Sequence, residues 1–150
     1  CAADTWEGSM RLFVLASVLC AVAGLAAAEG HLTPAPEGAS ARIVAPEDGA
    51  VLSNPVTIVF GLQGMGVAPA GVEQENTGHH HLLINTELAS LDLEAGLPAT
   101  DEIRHFGGGQ TEVTLDLPAG THSLQLLLGD WQHVPHDPPV VSEVISITVE

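Results

Sequence analysis

Residues 112–130 read EVTLDLPAGTHSLQLLLGD, and this stretch decides the fold. Val113, Leu115 and Leu117 alternate with polar residues, Pro118-Ala119-Gly120 forms a tight turn, and His122, Leu124, Leu126 and Leu128 resume the alternation. A period of two marks a strand with one buried face, and a Pro-x-Gly sequence supplies turn geometry. Downstream, a proline-rich loop over 131–142 (WQHVPHDPPVVS) leads into a last strand, Glu143–Glu150, with Ile145, Ile147 and Val149 inward.

Upstream, the domain starts near Arg42-Ile43-Val44, followed by a turn at Pro46–Gly49. In 55–62 (PVTIVFGL), Val56, Ile58, Phe60 and Leu62 share one strand face. A glycine-rich loop, Gln63–Gly78, carries Met65. His79–Asn85 is apolar on both faces after its histidines, as a central strand is. Thr86–Glu102 shows no clear period, although the spacing of Leu88, Leu91 and Leu93 fits a short helical turn. Ile103–Phe106 is a short strand ended by Gly107-Gly108-Gly109, which no lysine follows and which is therefore not a phosphate loop. Short strands, frequent turns and no amphipathic helix predict an all-β fold: an immunoglobulin-like antiparallel β-sandwich of about seven strands over residues 41–150.

Composition narrows the function. Nineteen acids against three basic residues give a net charge of −16 with histidine neutral. Such a surface repels nucleic acid and anionic membranes, and it attracts cations or basic partners. Tyrosine is absent and aromatics are scarce, which excludes a stacking platform for sugars or bases.

The N-terminal part carries targeting signals. Residues 1–9 (CAADTWEGS) read as an upstream extension. Residues 10–28 combine Met10-Arg11, an apolar run from Leu12 to Leu25, and Ala26-Ala27-Ala28, the parts of a secretory signal peptide cleaved after Ala28. The run is short and alanine-rich for a membrane anchor, which needs about 20 apolar residues. Leu19 ahead of Cys20 does not suit a lipoprotein. Residues 29–40 (EGHLTPAPEGAS) read as a flexible leader. Cleavage removes both cysteines, leaving histidine, carboxylate and Met65 as metal-competent groups. It also exposes Glu29-Gly30-His31, whose amine, two amides and imidazole suit square-planar Cu(II) as a separate N-terminal site.

Seven of the eight histidines lie between His79 and His136. In an up-and-down sandwich, the connections flanking His79, His105 and His133 fall at one end. That places His79, His81, His105, His133, His136 and Met65 together as candidate metal ligands. Strand alternation turns His80 to the opposite face from His79 and His81. Imidazole suits copper and zinc, and a thioether favours Cu(I). The competing role for these histidines is a hydrogen-bonded brace, with Asp130, Asp137, Glu112 and Gln110 as partners. His122 falls at the other end, after the 118–120 turn, where it is expected to bond the turn backbone.

Asn76–Ile84 (NTGHHHLLI), His105–Glu112 (HFGGGQTE), Leu117–His122 (LPAGTH) and His133-Val134-Pro135-His136, with Pro69-Ala70-Gly71, together resemble the bacterial exported family named domain of unknown function 4399. The resemblance covers about Arg42 to Glu150 and implies export and a compact domain. It carries no activity. The expectation is therefore a periplasmic or secreted, non-enzymatic domain that binds copper, or zinc, through its histidine end. The alternative is an envelope interaction domain whose histidines are structural and whose partner is another protein.

Overall fold

The computed structural model describes residues 32–150 as an all-β sandwich. The expected signal peptide, the upstream extension and the Glu29-Gly30-His31 site lie outside the described residues. The strands are β1 (Ser40–Ala45), β2 (Val51–Leu52), β3 (Val56–Gln63), β4 (Gly66–Val67), β5 (Thr77–Ile84), β6 (Ile103–His105), β7 (Glu112–Leu115), β8 (Gly120–Gly129) and β9 (Ile145–Val149). β1, β3 and β7 form the smaller sheet, and the larger runs β2-β9-β8-β5, with β4 and β6 both paired to β5. No helix among the described residues is long and apolar enough to cross a membrane.

The alternation read from the sequence sorts side chains into two apolar clusters. Ile58 and Phe60 from β3 meet Leu82 and Ile84 from β5, Leu124, Leu126 and Leu128 from β8, and Ile147 and Val149 from β9. This is the core between the sheets. The opposite face of the larger sheet is buried too. Leu83 and Leu127 pack there with Leu97 and Ile103, and Leu88, Leu91 and Leu93 close over them.

The connection 85–102, which showed no period, is therefore a cover for the sheet's outer face, with one 3-10 turn at Leu88–Ser90. Leu97, the one of these leucines that is buried, contributes about 1.5–3 kcal/mol of transfer free energy, and the partly buried Leu88, Leu91 and Leu93 less. This cover explains why β5 is buried from Gly78 to Ile84 on both faces.

At the far end, His122 bonds as expected. Its Nε2 donates to the Pro118 carbonyl at 2.7 Å, and its Nδ1 accepts from Asn85 Nδ2 at 3.0 Å. The segment expected to be a flexible leader is held over part of its length. Ala35 N–H donates to the Asp137 carbonyl, and Asp137 N–H donates to the Thr33 carbonyl, both at 3.0 Å.

Candidate metal centre

The centre is assembled on the outer face of the larger sheet. β5 supplies His79 and His81, two residues apart and hence on one side of the strand. β6 pairs antiparallel with β5 so that His105 lies directly opposite His81. On the other flank, β8 places Gly129 opposite His79, and the loop that follows brings His133 over the pair. One nitrogen from each of His79, His81, His105 and His133 lies within 4.8 Å of the other three. His79 and His81 are completely buried, and His105 and His133 are half-buried at the rim.

Two glycines make room for these rings. A β-carbon on Gly129 would sit 2.7 Å from His81 Cε1 and 3.1 Å from its Nδ1. One on Gly107 would sit 2.7 Å from His105 Nε2. Gly107 thus packs closely against a candidate ligand.

His79 Nε2 and His133 Nδ1 are 3.0 Å apart and share a proton-mediated contact. By contrast, His79 Nδ1, both nitrogens of His81 and His105 Nε2 are buried with no hydrogen-bond partner. Each such orphan costs about 1–3 kcal/mol in an apolar setting. The brace reading required carboxylate or side-chain amide partners, and none bonds these nitrogens. Asp130 spends one carboxylate oxygen on the Gln132 and Val134 N–H groups and the other on Thr33. Gln110 Oε1 accepts from the Gly108 N–H instead.

Electrostatics keep the rings neutral. Burial, reinforced by His105 and His133, lowers the pKa of His79 to about 4, against a smaller opposing pull from Asp130. Burial, with His79, His105 and His133, lowers His81 to about 3. His105 is also lowered, by burial and then by His133. At neutral pH, His79, His81 and His105 therefore present lone pairs rather than charges, which is the state a metal requires.

The structure separates two sequence candidates from the four. His136 is buried with neither ring nitrogen bonded, and it lies outside the group of four. Met65 packs against the core between the sheets, where the end of β3 and β4 carry it. His80, on the opposite face from its neighbours, packs on Phe60 with ring centroids 5.2 Å apart. Its burial lowers its pKa to about 4.

Asp130 was read only as a hydrogen-bond partner for histidine. It is instead the organiser of the loop bearing His133, which sits at φ +68°. Left-handed backbone at a non-glycine residue costs about 1–3 kcal/mol and persists only where surrounding bonds enforce it. The legible signal was an Asp two residues ahead of Gln132, the spacing of an Asx turn. A cleft of about 380 Å³, lined by Thr33, Glu73, Glu94, Asp130 and Trp131 among others, lies beside this loop.

The family model of a domain of unknown function, DUF4399, matches residues 58–150, and the chain belongs to that family. No curated protein matches it. No solved structure does either.

Proposed function

We propose that this protein is an exported, non-enzymatic domain that binds one transition-metal ion, copper, through His79, His81, His105 and His133. The observation that carries the reading is the convergence of four imidazoles, three of which, His79, His81 and His105, hold buried nitrogens without a partner. Buried polar groups are paired in native proteins, so a donor set left open in this way calls for a ligand. The set contains nitrogen alone. Imidazole suits zinc and copper alike, and among divalent ions copper binds nitrogen sites most tightly. The 3.0 Å between His79 Nε2 and His133 Nδ1 falls between the roughly 2.9 Å edge of a square and the roughly 3.3 Å edge of a tetrahedron with 2.0–2.1 Å metal–nitrogen bonds, so it suits copper and zinc alike. The ion would displace the proton now between them. The acidic surface raises the local cation concentration without adding selectivity. Export rests on the signal-peptide pattern at 10–28 and places the domain in the periplasm or outside the cell.

The test is metal binding by protein purified without a polyhistidine tag. Copper is expected to bind more tightly than zinc, one ion per chain, and His79→Ala or His81→Ala to abolish binding. A dissociation constant weaker than micromolar for Cu(I), Cu(II) and Zn(II) alike would refute the reading.

A further inference from the structure

Four of the six hydrogen bonds that shape the 130–134 loop converge on Asp130. Its carbonyl accepts the His133 N–H at 3.0 Å, and its N–H donates to the Val134 carbonyl at 2.8 Å. Its Oδ1 accepts from the Gln132 N–H at 2.8 Å and the Val134 N–H at 3.0 Å. The other two reach the loop from outside: the Leu97 N–H donates to the His133 carbonyl at 2.8 Å, and the Gly71 N–H to the Trp131 carbonyl at 2.9 Å. The remaining carboxylate oxygen, Oδ2, takes the hydroxyl of Thr33 at 2.7 Å, from a residue 97 positions away. Thr33 is held in turn by the pairing of 33–35 with Asp137.

From this wiring, and resting on the four-imidazole site proposed above, we infer that Asp130 is a positioning residue for the metal, and that the N-terminal strap controls metal retention by locking Asp130 through Thr33. His133 stands at the rim of the cluster, its ring 4.5 Å from that of His105 and 5.0 Å from that of His79. Its left-handed backbone is not one the chain adopts unaided. The Asp130 carboxylate imposes it. Thr33 stops that carboxylate from rotating away from the two N–H groups it caps. Without the hydroxyl, the loop relaxes, His133 leaves its place, and three imidazoles remain. His79, His81 and His105 stand on strands and are untouched. The strap is thus a clasp on one ligand of four.

The experiment compares Zn(II) affinity and the Cu(II) electron paramagnetic resonance spectrum of the tag-free chain with those of Thr33→Val, Thr33→Ser, Asp130→Asn and His133→Ala. Groups that orient ligands change metal affinity about 10- to 100-fold when removed. Thr33→Val is expected to weaken zinc about tenfold, Asp130→Asn by more, and Thr33→Ser to restore wild-type affinity. The Thr33→Val copper spectrum should lose one nitrogen coupling, as His133→Ala does. If the wild type binds no metal more tightly than micromolar, the functional reading fails and this inference with it. If the wild type binds and Thr33→Val matches it in affinity and spectrum, even with a lower apo melting temperature, the inference alone is overturned. Should Asp130→Asn fail to fold, the Thr33→Val and Thr33→Ser pair decides.

Discussion

His80→Leu should stabilise the protein, and the size of the gain follows from where the ring sits. His80 is completely buried on the inner face of β5, against Phe60, and both its nitrogens lack partners. A neutral imidazole so placed leaves one donor and one acceptor unsatisfied, at about 1–3 kcal/mol each. Leucine removes both losses, against a repacking cost of up to about 1.5 kcal/mol for the change of shape. The net expectation at pH 7 is a gain of roughly 0.5–6 kcal/mol. Acid enlarges it. Burial holds His80 at about 4 in the folded state against 6.5 unfolded, so between those values the unfolded chain binds the extra proton. Its neutral form therefore supports the fold above pH 6.5, and that support is lost as pH falls towards 4. Linkage with these two values makes the wild type lose about 2 kcal/mol more than His80→Leu between pH 7 and pH 5. Urea unfolding of both proteins at the two pH values measures the difference. The reasoning is refuted if His80→Leu is the less stable protein at pH 7, or if both lose the same stability on acidification. Loss of metal binding in His80→Leu would equally contradict its placement on the face away from the metal centre.

Other perturbations separate the two ends of the sandwich. Gly129→Ala puts a methyl 2.7 Å from His81 Cε1. It should cost about 1–3 kcal/mol in overpacking and weaken zinc about tenfold or more, measured by competition with a chromophoric chelator; unchanged affinity would show that His81 is not a ligand. His122→Ala deletes the bonds to the Pro118 carbonyl and Asn85. It should lower unfolding free energy by about 1–3 kcal/mol while leaving metal affinity alone. Zinc at one hundred times its dissociation constant should stabilise the wild type by about 2.7 kcal/mol in calorimetry, and His81→Ala not at all.

Period-two patterning determined a good deal by itself. It identified the main strands and put His122, Leu124, Leu126 and Leu128 on one face. It also split His80 from His79 and His81, because side chains of an extended chain alternate whatever surrounds them. The all-β class and the clustering of histidines at one end follow from that pattern and from connection order. Neither required a contact to be known. Residues without a local period were illegible. The 85–102 connection covers the outer sheet face because Leu88, Leu91, Leu93 and Leu97 find Leu83 and Leu127 there, a preference set by burial and not by backbone repeat. Register, a property of two strands at once, set His105 opposite His81 and Gly129 opposite His79. Tertiary packing alone sent Met65 to the inter-sheet core and separated His136 from His133. The Thr33–Asp130 clasp joins residues 97 positions apart by one hydrogen bond, and only the folded chain brings them within reach.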